Sequence, residues 1–186
     1  MNRRLLLLVA LLAISTGSAQ ALTAPQLQRL IEAAAKPVAR YEEVRESPWL
    51  SSPVATRGTL HVTAQALEKR VESPRQETWR MLDDRLEWIG PGGTARKQVL
   101  FSQAPALQAL ADVTRRAVAG DLRALERDFH IALQGDENVW TVQLQPRDAA
   151  LMRQLESVEL QGTGGHLRVL IVTERQGERT TTRILS

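Results

Sequence analysis

Gln76-Glu77-Thr78-Trp79-Arg80-Met81-Leu82-Asp83-Asp84-Arg85-Leu86-Glu87-Trp88-Ile89 is the stretch whose reading decides the fold. Two alternating runs flank Asp83-Asp84, and a two-residue polar turn between such runs signals a β-hairpin. Closing the hairpin there puts Met81 opposite Leu86 and Trp79 opposite Trp88. Arg80 then meets Glu87 on the other face. One face is large and apolar; the other is an ion pair in water. A slip of one residue would turn both tryptophans to solvent, so these cross-strand pairs set the register. The apolar face is either ordinary core or the wall of an apolar cavity, and its composition fits both.

The chain around the hairpin has 186 residues, enough for one domain with a real core. Hydrophobic residues make up 43%, which indicates a globular chain. The absence of cysteine excludes disulfides, thiol chemistry and cysteine-zinc sites. The formal charge is +3, but two of the 24 basic residues, Arg3 and Arg4, lie in a segment expected to be removed. A remainder so nearly balanced has no electrostatic footprint for nucleic acid, and its aromatics are not interleaved with basic clusters.

That removable segment is Met1 to Ala21. Arg3-Arg4 is a basic n-region, Leu5 to Ile14 an apolar h-region, and Ala19-Gln20-Ala21 a small-residue cleavage site. The apolar run is too short for a permanent span. The expectation is a soluble, exported chain running as a single domain from Leu22 to Ser186 in the bacterial periplasm.

Thr23 to Arg40 reads as an amphipathic helix. Thr23 and Gln26 fit a capping box, Pro25 lies in the first turn, and Leu27, Leu30, Ile31, Ala34 and Val38 share a face. Pro37 ends or kinks it. Strands follow at Tyr41 to Arg45, Gly58 to Thr63, Leu67 to Val71, the hairpin, and Arg96 to Phe101. Pro105 to Gly120 is a second helix with Leu107, Leu110, Ala111, Thr114 and Val118 on its apolar stripe and Gly120 as C-cap. Asp121 caps a further short turn of helix. Phe129 to Leu133, Trp140 to Leu144, Val158 to Leu160, Leu167 to Thr173 and Arg179 to Leu185 then complete a set of about ten strands joined by short turns, which implies an antiparallel sheet.

Chemistry is sparse. His61, His130 and His166 lie far apart without ligand spacing, so no metal site or cofactor is expected. There is no nucleophile elbow, and the glycines of Gly90 to Gly93 and Gly162 to Gly165 belong to turns. Asp83, Asp84 and Asp148 read as exposed turn aspartates. An enzyme is not expected. A long twisted sheet must close or be covered, and two amphipathic helices are available to cover one face.

The order of elements resembles the periplasmic outer-membrane lipoprotein carrier (LolA) family, and more closely its divergent LolA-like branch. The resemblance rests on the signal peptide and first helix, Tyr41-Glu42-Glu43-Val44-Arg45, Gly58-Thr59-Leu60, and Leu67-Glu68-Lys69 with Pro74. It continues through the strand–helix–strand order around Pro105 to Phe129, Trp140 with Leu144-Gln145-Pro146-Arg147-Asp148, and the closing runs Leu167 to Arg175 and Gly177 to Ile184. It covers nearly all of the mature chain, and its specificity comes from order and spacing.

The resemblance implies an α+β fold: an incomplete antiparallel β-barrel, or half-barrel, with helices covering the concave apolar face. It implies a monomeric carrier that takes acylated lipoprotein, or other lipid-like cargo, from an inner-membrane donor to an outer-membrane acceptor. Members of the divergent branch resemble companions of aryl-polyene pigment or glycolipid assembly, so an accessory lipid- or pigment-binding protein is a rival reading. An envelope interaction or sensor module is another. Family members gate their lid with an arginine after the second strand, followed by a proline; Thr63 and Ala64 hold those positions here. On the carrier reading the cavity wall is Leu60, Val62, Leu67, Val71, Trp79, Met81, Leu86 and Trp88. Leu107, Leu110 and Val118 lie on the lid helix, and Leu27, Leu30 and Ile31 on the first helix. For each of these, plain core packing is the competing assignment.

Overall fold

A computed structural model describes residues 22–63 and 65–185. The expected signal peptide lies outside them, as does Ala64. Eleven strands form one open antiparallel sheet: β1 (Val38–Glu46), β2 (Val54–Val62), β3 (Leu67–Ser73), β4 (Glu77–Met81), β5 (Arg85–Ile89), β6 (Arg96–Leu100), β7 (Phe129–Gly135), β8 (Trp140–Pro146), β9 (Leu155–Thr163), β10 (His166–Glu174) and β11 (Arg179–Leu185). Among the described residues four α-helices accompany them: α1 (Ala24–Ala34), α2 (Pro105–Ala119), α3 (Leu122–Leu125) and α4 (Ala149–Met152). The sheet does not close, and its α+β half-barrel architecture is the expected one.

The deciding hairpin has the register read from its sequence. Trp79 pairs with Trp88, Arg80 with Glu87 and Met81 with Leu86. Around Asp83-Asp84 the Leu82 N–H donates to the Arg85 carbonyl at 3.0 Å. Arg80 and Glu87 form an ion pair at 3.5 Å on the outer face.

Strand order explains why a helix crosses the sheet. The order is β6-β5-β4-β3-β2-β1-β11-β10-β9-β8-β7, so the first and last strands pair near the middle and β6 and β7 are the opposite edges. The chain between β6 and β7 must therefore travel from one edge to the other. It does so through α2 and α3, and an amphipathic segment making that passage lies against the apolar face.

Several boundaries differ from those read in the sequence. α1 stops at Ala34 and β1 begins at Val38, so Val38 to Arg40 are strand and not helix. Pro37 is the cause: it drives Lys36 out of the α region and cannot donate to the preceding turn. At the start of α1, Gln26 Oε1 accepts from both the Thr23 N–H (2.9 Å) and the Thr23 hydroxyl (2.6 Å), a variant of the expected cap. β2 begins at Val54, four residues before the expected Gly58. Gly58 sits beside a bulge where β3 comes so close that a Cβ would lie 1.8 Å from the Arg70 carbonyl oxygen. Only glycine permits that approach. Asp148 is a helix cap, accepting from the N–H groups of Ala150 and Leu151.

Packing is unequal across the sheet. The main core lies on the β7–β10 half, where Phe129, Trp140, Val142, Leu144, Val158 and Leu160 meet Leu27, Val113, Ala117, Leu122 and Leu125 from the helices. The β1–β6 half holds a small buried cluster of Tyr41, Leu60 and Leu67, with Val62, Met81, Val118 and Ile184 against it. Space remains where the second half is thinly filled.

Candidate functional site

α2 is a wall shared by the core and that space. Val113 and Ala117 are fully buried in the main core. Leu107, Leu110, Thr114 and Val118, displaced by roughly a quarter-turn around the helix axis, face a cavity of about 370 Å³. Its opposite wall is Leu60, Leu67, Trp79, Met81 and Leu86 from the sheet, with Leu170 and Val172 of β10 at the side. The volume lies within the range of small-molecule sites.

A second cavity of about 380 Å³ opens between the end of α1, the start of β1 and the ends of β10 and β11. Leu60 and Val118 line both spaces and belong to one packed cluster. Ile31 and Val62 belong to the second. A third hollow of about 300 Å³ extends the apolar face to the sheet edge, lined by Trp79, Leu86, Trp88 and Val99 with Lys97 and Gln98. Trp79 and Leu86 connect it to the central cavity.

Of the residues read as cavity wall, eleven thus line one of these three spaces. Val71, Leu27 and Leu30 line none. Val71 is buried beneath the Gly58 bulge, Leu27 is wholly inside the main core, and Leu30 packs against that core. The inner side of α1 is committed to helix–sheet packing. There, a Cβ at Gly165 of the β9–β10 turn would lie 2.1 Å from the Leu30 carbonyl oxygen.

The two tryptophans of the hairpin are half-buried and tilted at 56°, with ring centroids 6.5 Å apart. Both indole N–H groups donate to the same carboxylate. Trp79 Nε1 reaches Glu77 Oε1 and Trp88 Nε1 reaches Glu77 Oε2, each at 2.9 Å. One glutamate therefore anchors both rings at the edge of the hollow they line. The polar handle of a half-buried tryptophan needs such a partner.

The central cavity also has a polar strip that apolar patterning misses. β1 turns Tyr41, Glu43 and Arg45 inward. Glu43 Oε1 accepts from Lys69 Nζ, and its Oε2 accepts from the Thr182 hydroxyl at 2.8 Å. Arg45 pairs with Glu178 at 2.8 Å. Burial, and then the neighbouring Glu178, push the Glu174 carboxyl up. The signal was the period of two: Lys69 lies between Leu67 and Val71 in the inward register, and Glu43 follows Tyr41 by two.

Tyr41 lies beneath this strip with 1% of its surface exposed, and Lys69 Nζ is 5.0 Å from its ring centroid. Burial pushes its phenol up to about 12, with nearby Glu43 contributing. The folded state thus holds the Tyr41 proton more tightly than the unfolded chain does. Its contribution is intact below about pH 10 and is lost as pH rises toward about 12. Stability should fall across that interval, and Tyr41→Phe should flatten the fall in urea melts taken at each pH. An unchanged slope in the variant would assign the fall to other groups.

α2 is tethered at the hairpin turn: Arg115 reaches Asp83 at 2.7 Å and Asp112 at 3.3 Å. Asp83, read as a solvent-facing turn residue, is thus a contact for the covering helix. Its carboxylate is 72% exposed, so the tether contributes at most about 1 kcal/mol.

Comparison with known proteins gives the chain a family. Residues 16–185 match a family described as outer membrane lipoprotein carrier protein LolA-like. The chain belongs to that family. Among solved structures, this LolA-like chain is similar to a LolA superfamily protein from Nitrosomonas europaea, at 13% identity and a TM-score of 0.44, over 89% of this chain and 93% of that one. It is also similar to a DUF1329 family protein from Desulfovibrio piger, at 10% identity and a TM-score of 0.41, over 88% and 90% respectively. No curated protein sequence matches it. Among the described residues, no helix of this LolA-like chain is long and apolar enough to cross a membrane.

Proposed function

We propose that this LolA-like protein is a non-enzymatic periplasmic carrier. It takes the acyl chains of lipoproteins, or a related amphiphile, into the space under α2 and moves them from an inner-membrane donor to an outer-membrane acceptor. The observation that supports this reading is the central cavity: an apolar volume between an edge-to-edge helix and the thinly filled half of an open sheet. An acyl chain gains about 0.8 kcal/mol per buried methylene, so a carrier must also be able to let go. The ion pair between α2 and the hairpin turn is exposed and adds little to the hold of the helix, which rests mainly on Val113 and Ala117 in the core.

The test is native mass spectrometry of the protein taken from its own periplasm, with extraction of whatever accompanies it. A bound acylated lipoprotein supports the carrier reading. A pigment ester or glycolipid retains the cavity but moves the function to assembly of that compound. An empty protein that also ignores fluorescent fatty-acid probes overturns the reading.

A further inference from the structure

The two larger cavities differ in charge. In the central one two carboxylates are matched, Glu43 with Lys69 and Glu178 with Arg45, and Glu174 adds a third acidic group beside them. The second is lined by Lys36 and Arg40 from the α1–β1 corner and by His166 and Arg168 from β10, and no aspartate or glutamate is among the described residues that line it. Lys36 and Arg40 are exposed. Beside them at the same mouth Val38 and Leu185 are 45% and 38% exposed, an uncovered apolar lip.

The backbone carrying these groups is fixed. The Val62 N–H donates to the Pro37 carbonyl at 2.8 Å and holds the corner between Lys36 and Arg40. The β9–β10 turn that leads into His166 is pressed against α1 at Gly165, with no room for a Cβ. The basic rim is therefore set on a prepared frame, which lowers the ordering cost of binding.

We propose that this second cavity recognises the anionic headgroup, carboxylate or phosphate, of an amphiphile whose tail displaces the contact of Leu60 with Val118, the side chains common to both spaces, and enters the central cavity. The inference rests on the carrier reading and adds a headgroup class to it. An anion at the rim exchanges water for charge-assisted hydrogen bonds from Lys36 and Arg40. An ammonium head would meet like charge and no carboxylate. The tail passes the apolar lip and the second cavity before it comes beside the Glu43–Lys69 strip, which sits in the central cavity.

The experiment is calorimetric titration of the protein with four probes of equal tail length: hexadecanoate, hexadecyl phosphate, methyl hexadecanoate and hexadecylamine. Two exposed cations support a preference of at most about tenfold for the anions over the ester, with the amine weakest. The preference should shrink as salt is raised. Replacing both cations, Lys36→Gln with Arg40→Gln, should bring hexadecanoate down to the affinity of the ester. The tighter of the two anions identifies the headgroup source. If anions, ester and amine bind alike, or the double variant keeps the preference, the headgroup inference falls and the carrier reading stands. If no probe binds, both fall.

Discussion

Trp140→Ala should lower the unfolding free energy by about 3–5 kcal/mol, the cost of emptying a large buried aromatic site. Trp140 is 1% exposed at the start of β8. Its ring lies over Gly162 on the paired strand β9, where a Cβ would come within 2.0 Å of the indole Cζ2. Its Nε1 donates to the Gly164 carbonyl at 2.7 Å. The substitution therefore leaves a cavity, an unpartnered carbonyl and a bare glycine in one stroke. Against a total stability of about 5–15 kcal/mol, little would remain. The measurement is urea unfolding followed by fluorescence and circular dichroism. The midpoint should drop, and an unchanged slope would show that the loss lies in the folded state. A loss below about 1 kcal/mol would mean that the β7–β10 half is not the packed half.

The four tryptophans show where sequence reading ends. Trp49 is 75% exposed in the β1–β2 connection, Trp79 and Trp88 are half-buried at the cavity, and Trp140 is in the core. The Trp79–Trp88 pair was legible because its partner residues lie nine positions apart across a two-residue turn. Trp140 owes its burial to Gly162 on another strand, and no local pattern announces that pairing. The same distinction applies to α2. Its stripe and its Gly120 cap follow from local spacing. That Val113 and Ala117 face the core while Leu107, Leu110 and Val118 face a cavity follows from the curvature of the sheet beneath.

The misread features share a cause. Apolar periodicity marks a buried face but does not mark the polar residues that share it. Glu43, Lys69 and Thr182 occupy inward positions and satisfy one another, so each side chain is explicable only with the other two in place. Leu27 and Leu30 were placed at the cavity because α1 is amphipathic, but amphipathicity says which face is buried and not against what. α1 rests on the β10 side of the sheet, so only its far end, at Ile31, reaches the second cavity.

Thr114→Trp should weaken acyl-chain binding roughly a hundredfold while leaving the fold intact. Thr114 faces the central cavity from the middle of α2, and its hydroxyl donates only within the helix, to the Leu110 carbonyl at 2.9 Å. No contact between helix and sheet depends on that hydroxyl. An indole there would project into the roughly 370 Å³ beneath, in the space bounded by Leu67, Met81 and Leu86. Displacing about four methylenes of a bound tail, at about 0.8 kcal/mol each, costs about 3 kcal/mol, which is the stated loss. The readout is titration with hexadecanoate, accompanied by circular dichroism and the urea midpoint to show that folding is retained. Because the indole enters empty volume and meets apolar side chains, the midpoint should hold or rise. If the folded variant binds the probe as the parent does, the tail does not lie under α2, and the cavity cannot be the cargo site.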